Sequence, residues 1–214
     1  MSTAVCFDLD GTLVEFTVPY ETILEESFDA ALGYSTPELL ETYNDAFYEA
    51  FLALESEPYL TEMRAVRSAC NVDVNADPES LVDILREHEF AATRVETAAR
   101  SLLASLGERH HLGVVTNGVS DWQEAKLRYH DLGDVFDAVV CSYDVGTHKP
   151  DPAPFEAANE SLDADTCVMI GDDYAADIEG ARNAGFVPVH LTTDVAEVTV
   201  PDLGSFGTLL DALR

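Results

Sequence analysis

The chain has 214 residues, 47% of them hydrophobic, which is enough for a buried core in one domain or in one domain carrying a sizeable insertion. Its 41 acids against 11 Lys and Arg give a formal charge of −30. That balance excludes nucleic acid as a partner, because no basic stripe is present to neutralise phosphates. No apolar run approaches the roughly 18 residues of a membrane helix. The N-terminal residues carry neither a basic region nor an apolar stretch of signal-peptide length, so no membrane partner is expected and the expected location is the cytoplasm.

The acids are spread over the whole chain, and only two of the eleven bases are lysines, Lys126 and Lys149. A solvated acidic surface of this kind repels itself in dilute buffer and is screened by concentrated counterions. Such a Lys-poor, acid-rich surface is expected of a halophilic protein. The four cysteines (Cys6, Cys70, Cys141 and Cys167) form no paired motif, and three of them lie in or beside apolar runs. They are expected to be reduced and packed as small hydrophobes. The six histidines lack ligand spacing, which argues against a zinc enzyme.

In chain order, the first apolar run is Ala4–Phe7, and it stops at Asp8. From about Thr17 to Ala92 the pattern is helical throughout, broken by turn signals at Gly33–Pro37, Glu57–Pro58 and Asn75–Pro78. The aromatics there (Phe28, Tyr34, Tyr43, Phe47, Tyr48, Phe51 and Tyr59) stand at helical spacing and predict a helix-bundle core. A helix over Val95–Leu106 shows a 3.6-residue apolar stripe and ends at Gly107. The run Leu112–Val115 stops at Thr116, and a helix follows from Ser120 to Leu132, with Lys126 expected on its exposed face. Ala138–Cys141 is a third run. A helix over Ala153–Leu162 precedes the run Cys167–Ile170, which stops at Gly171-Asp172. Tyr174–Ala184 is helical, Phe186–Val189 is a fifth run, and Leu203–Leu213 is a terminal helix.

Short continuous apolar runs alternating with helices predict an α/β fold, a doubly wound parallel sheet of Rossmann-like type. An α-helical subdomain is inserted after the first strand. The expected division is residues 1–16 and 93–214 for the α/β catalytic core and 17–92 for the insert.

In open parallel sheets, ligands bind beyond the carboxyl ends of the strands. Those ends here read Asp8-Leu9-Asp10-Gly11-Thr12, Thr116-Asn117-Gly118 and Gly171-Asp172-Asp173, with Asp177 a turn later and His148-Lys149-Pro150-Asp151 in the preceding loop. Carboxylates, a hydroxyl, an amide and one of two lysines would converge at one edge. The set suits phosphate and a hard divalent cation, because Mg²⁺ takes oxygen ligands. Clustered acids repel an anionic ester unless positive charge offsets them, and Mg²⁺ with Lys149 would supply it.

These segments resemble, in order, the four motifs of the haloacid dehalogenase-like superfamily, and the helical insert resembles the cap of its phosphoglycolate phosphatase-like subclass. The resemblance spans residue 3 to about 200 and implies a Mg²⁺-dependent phosphatase acting on a small phosphorylated metabolite through an aspartyl-phosphate. It implies Asp8 as nucleophile and metal ligand. Asp10 would act as general acid and then base, with its backbone carbonyl on the metal. Thr116 and Asn117 would hold phosphoryl oxygens, Lys149 would balance charge, and Asp172 would bind Mg²⁺. Asp177 is expected behind these ligands. For Asp173 an exposed acid is an equal alternative, and Asp151 reads as a helix cap. Glu15 and Phe16 stand where the chain leaves for the insert. Arg64 and Arg67, three apart, could meet an anionic substrate or pair with neighbouring Glu.

Three alternatives share the fold. A haloacid dehalogenase needs no Mg²⁺, and members with that activity lack the second Asp of the first motif. A phosphomutase differs only in the phosphoryl acceptor. A catalytically silent binding protein would not need the full set of Asp8, Asp10, Thr116, Lys149 and Asp172.

Charge alone generates one prediction. Folding concentrates the −30, so repulsion penalises the compact state more than the unfolded one. Molar KCl shortens the screening length to about 3 Å and relieves most of this. The thermal midpoint is expected to rise strongly from dilute buffer to molar KCl, as followed by circular dichroism. Equal midpoints would contradict the halophilic reading.

Overall fold

A computed structural model of the protein describes residues 2–70, 76–192, 199–200 and 203. The chain divides into two compact units, one made of Met1–Glu15 with Arg94–Arg214 and the other of Phe16–Thr93.

The first unit is built on a sheet. Strand β1 (Thr3–Phe7) leads into a two-residue strand, β2 (Glu15–Phe16), and then into the four helices of the insert. The insert comprises α1 (Tyr20–Leu32), α2 (Pro37–Leu52), α3 (Pro58–Ala69) and α4 (Pro78–Ala91). The chain returns through β3 (Thr93–Arg94), which pairs with β2. There follow α5 (Thr97–Gly107), β4 (His111–Thr116), α6 (Ser120–Tyr129), β5 (Ala138–Cys141), α7 (Ser142–Val145), α8 (Ala153–Leu162) and β6 (Thr166–Gly171). A π-helical turn (Tyr174–Glu179) runs into α9 (Gly180–Asn183), then β7 (Val187–Leu191) and β8 (Thr199–Val200).

The main sheet has the order β5-β4-β1-β6-β7-β8, and every neighbouring pair is parallel. Both faces are buried, which explains the continuous apolar runs. Val5, Phe7, Val114 and Ile170 face α5 and α6, packing with Leu102, Leu103, Leu106 and Leu127. The alternate residues Ala4, Cys6, Val115 and Met169 pack with Phe155, Ala158 and Leu162 of α8 and with Ala181 and Phe186. The doubly wound parallel sheet with a helical insertion is therefore as the periodicity predicts. β1 lies at the centre, between β4 and β6, so the ends of three strands meet at the point where the strand order reverses.

The four cysteines are free thiols. Burial pushes Cys6 and Cys141 up to about 12, which keeps them unreactive packing groups. No helix among the described residues is long and apolar enough to cross a membrane.

Several boundaries differ from the sequence reading for local reasons. The helix expected from Val95 starts at Thr97, because Arg94 is drawn into the strand pair with β2. The helix expected to reach Leu132 stops at Tyr129, and Asp131 turns the chain at φ +56°. Asp151 does cap α8 in effect, its carboxylate accepting from Ala153 N at 3.0 Å. The terminal helix expected over Leu203–Leu213 lies outside the described residues apart from Leu203.

In the insert, the turn signals mark the helix ends. Gly33 closes α1 with φ +83°, which a side chain would strain. Thr36 and Asp77 cap α2 and α4 through Leu39 N and Ser80 N. Phe28 and Tyr43 are buried as expected of bundle aromatics, and Phe47 stacks between Tyr43 and Phe51. Tyr48 departs from that expectation, being 67% exposed.

The interior of the insert also holds polar groups that no periodicity announces. Tyr20 Oη lies 3.2 Å from both Tyr43 Oη and Glu89 Oε2, and Glu62 is fully buried. Burial, with Glu89 adding and Tyr43 opposing, pushes the Glu62 carboxyl up to about 9. The folded state therefore keeps a proton that the unfolded chain releases near the ordinary Glu value. This contribution to stability is complete below that value and is lost as pH rises towards 9. Glu62→Gln mimics the protonated acid. The thermal midpoint of wild type is expected to fall more between pH 6 and pH 9 than that of Glu62→Gln, and parallel curves would remove the buried proton from the account.

Candidate active site

Asp8 is the first residue beyond β1, and its backbone N–H extends the ladder to Ile170 O at 2.9 Å. The strand thus delivers the carboxylate to the sheet edge at 8% exposure. Lys149 approaches from the loop after α7. Its Nζ donates to Asp8 Oδ1 at 2.7 Å, Asp177 Oδ1 at 2.6 Å and the Val115 carbonyl at 2.8 Å. Three acceptors match the three protons of an ammonium group. Burial works against that charge, but Asp8 and Asp177 outweigh it and hold the Lys149 pKa above the ordinary lysine value. Burial pushes Asp8 up to about 7, against the pull of Lys149 and with a further push from Asp177.

Asp8, Asp172 and Asp177 each offer a carboxylate oxygen, and these atoms lie within 4.8 Å of one another. One ammonium against three carboxylates leaves the group short of positive charge. An all-oxygen, anionic set of this kind fits a hard divalent cation such as Mg²⁺. Asp172 Oδ1 accepts from Thr12 Oγ1 at 2.9 Å, and the Asp172 carbonyl takes His190 Nε2 at 3.0 Å, so its backbone and side chain are both held. Gly11, at φ +90°, has its α-carbon against this carboxylate, where an added Cβ would stand 2.6 Å from Asp172 Oδ2. At Gly171 an added Cβ would stand 2.2 Å from Asp177 Oδ2. Both glycines are therefore required by close approach to the acids.

The π-helical turn positions Asp177. Its wider winding is common at functional sites. Asp173, which is exposed, begins the turn and accepts from Ala176 N at 2.8 Å, so it is a cap rather than a member of the cluster. Asp177 is 1% exposed and also accepts from Asp173 N at 3.1 Å.

Thr116 ends β4 and is buried. The Asn117 side chain clasps the backbone of Lys149, accepting from its N–H at 2.8 Å and donating to its carbonyl at 3.1 Å. One amide proton is left for another partner. The second strand end thus fixes the loop that carries the lysine, a role the sequence did not announce.

Asp10 takes a different direction. Its side chain turns to α6, where Oδ1 accepts from Lys126 Nζ at 2.7 Å and Oδ2 from Gln123 Nε2 at 2.9 Å. The expectation that Lys126 lies on an exposed face is wrong, since its side chain is 2% exposed. The buried stripe of α6 consists of Trp122, Gln123, Lys126 and Leu127, and two of these four are polar. That spacing, together with the scarcity of lysine, was the available signal.

The remaining predicted residues are engaged locally. Glu15 pairs with Arg94 at 2.7 Å, and Phe16 packs edge-on to Tyr20. Arg67 Nε donates to Ala76 O at 3.1 Å, tying α3 to the start of α4, while Arg64 is exposed.

A doubly wound parallel sheet with a carboxylate, a buried lysine and further acids at its central strand ends defines a Rossmann-like α/β protein with an anionic site at the strand ends. The haloacid dehalogenase-like hydrolase family matches the chain over residues 3–185, and the chain belongs to that family. The pyrimidine 5′-nucleotidase YjjG of Escherichia coli is 38% identical over 201 residues, spanning 87% of this chain and 84% of that protein. The pyrophosphatase PpaX of Bacillus velezensis is 29% identical over 191 residues, with 86% and 80% covered. The crystal structure of a 2-haloacid dehalogenase from Pseudomonas syringae is 26% identical, has a TM-score of 0.75, and matches over 100% of both chains.

Removing the buried ammonium strands two acids. Lys149→Met is expected to cost about 3–5 kcal/mol at neutral pH, the usual range for breaking a buried pair from one side. Denaturant unfolding reads this directly, and a loss below about 1 kcal/mol would show that the acids do not depend on it.

Proposed function

We propose that the protein is a Mg²⁺-dependent phosphatase that hydrolyses a small phosphate monoester through an aspartyl-phosphate on Asp8. The observation that carries this reading is the shared ammonium. Lys149 holds Asp8 and Asp177 while Asp172 lies beside them, and its charge opposes the upward push of burial on the carboxylate that would attack. The pyrophosphatase and nucleotidase activities named for the 29% and 38% identical relatives support phosphoryl-group hydrolysis as the class.

Asp8, Asp172 and the Asp10 backbone carbonyl would hold the metal, with Asp177 close behind. When bound, Mg²⁺ offsets the charge of the phosphoryl oxygens and of the acids. Asp8 attacks phosphorus as the ester P–O bond breaks, and Asp10 gives its proton to the departing oxygen. Water then attacks phosphorus, Asp10 takes a proton from it, and the bond to Asp8 breaks to release inorganic phosphate. The Thr116 hydroxyl and the remaining Asn117 amide proton would hold phosphoryl oxygens, and Lys149 would stay charged throughout.

The helical insert corresponds to the cap of the phosphoglycolate phosphatase-like subclass, whose members act on small substrates. Dehalogenase chemistry on the same fold is disfavoured by Asp10, because a departing halide needs no proton. A phosphomutase would share every step up to the acceptor.

Asp8→Asn tests the reading. With p-nitrophenyl phosphate, Mg²⁺ and molar KCl, turnover is expected to fall by at least about 10³-fold while the circular dichroism spectrum is kept, since loss of a covalent nucleophile removes the main route. Activity within about tenfold of wild type would remove Asp8 from the role.

A further inference from the structure

The acceptors of Lys149 Nζ are Asp8, Asp177 and the Val115 carbonyl, and Asp10 is not among them. The Asp10 carboxylate is gripped by α6 instead, with one donor on each oxygen, Lys126 Nζ at 2.7 Å and Gln123 Nε2 at 2.9 Å. Gln123 Nε2 also donates to Thr116 Oγ1 at 3.2 Å, so a single amide spans Asp10 and the end of β4. Lys126 and Gln123 are 2% and 3% exposed, whereas the Asp10 side chain is 30% exposed. The donors are therefore sealed behind the carboxylate, and the carboxylate keeps its open side.

Burying an ammonium is costly, and a chain with 41 acids and two lysines has every opportunity to place Lys126 in solvent. We propose that Lys126 and Gln123 are positioning residues for proton transfer. By engaging one position on each carboxyl oxygen, they fix the plane and rotamer of Asp10. A free position remains on the open side, where the proton for the leaving oxygen is carried. The gain comes from orientation, since a reacting group held in one geometry does not spend its freedom at the moment of transfer. The link through Thr116 keeps the proton donor in register with the strand end that holds the phosphoryl group.

This inference rests on Asp10 being the acid and base of the phosphatase reading, and the test separates the two. An alkyl phosphate needs its leaving oxygen protonated, whereas dinitrophenyl phosphate releases a stable phenolate unaided. Proton donation accounts for about 10²–10⁴-fold where it is needed. Lys126→Met is therefore expected to lower kcat/KM for an alkyl phosphate by about 10²-fold, and for dinitrophenyl phosphate at least tenfold less. Gln123→Met should show the same selectivity at about a tenth of the size, and it serves if Lys126→Met fails to fold. Asp10→Asn is the reference. In its background Lys126→Met should add no leaving-group selectivity.

Losses equal on both esters for Lys126→Met and Gln123→Met, beside a selective Asp10→Asn, would overturn the positioning role and leave the phosphatase reading intact. An unselective Asp10→Asn would overturn the proton-transfer reading and this inference with it.

Discussion

Lys149 Nζ is shared among two carboxylates and a main-chain carbonyl in a place almost closed to water. An ammonium with three acceptors at 2.6–2.8 Å is fully satisfied, which is what lets a charge stay ionised away from solvent. Much of the surrounding architecture serves that arrangement. Asn117 fixes the Lys149 backbone, the π-helical turn swings Asp177 inward, and Gly171 makes room for it. Asp8, carried on the central strand, then stands against a fixed positive charge. Without that charge, burial and mutual repulsion would push Asp8 and Asp177 further towards their protonated forms.

The composition gains meaning from this geometry. The chain has two lysines, and both are buried against acids at the strand ends, while every other strong base is an arginine. A compact ammonium suits a pocket of point acceptors, whereas the planar guanidinium suits forked pairs such as Arg94 with Glu15 and Glu96. Salt also acts differently on the two populations. Exposed acids are screened within a few ångströms in molar salt, but buried pairs are screened far less. The surface can therefore be tuned to concentrated salt without altering the electrostatics of the site.

The sequence carried the parts of the molecule that depend on period and on strand ends. Continuous runs such as Ala4–Phe7 and Cys167–Ile170 became the central strands because both faces of a parallel sheet are covered. Asp8, Thr116, Lys149 and Asp172 are placed at the sheet edge because they follow those strands or the loop between them. Side-chain direction was less legible. Lys126 reads as a surface residue on a helix of polar composition, and only the three-dimensional course of α6 beside Asp10 turns it inward. The clasp of Asn117 on Lys149 joins residues 32 positions apart, which no local pattern encodes. The buried Glu62 and Glu89 likewise hide within a helical stripe that ought to be apolar.

The central claim is that Asp8, set against Lys149, becomes covalently phosphorylated during turnover. Acid quenching of the protein within the first turnovers on a phosphate monoester with Mg²⁺ in molar KCl, followed by peptide mass spectrometry, tests it directly. The account predicts a peptide containing Asp8 that is heavier by one phosphoryl group, absent without substrate and absent in Asp8→Asn. Active enzyme whose quenched Asp8 peptide is unmodified, with the phosphoryl group on another residue, would contradict it.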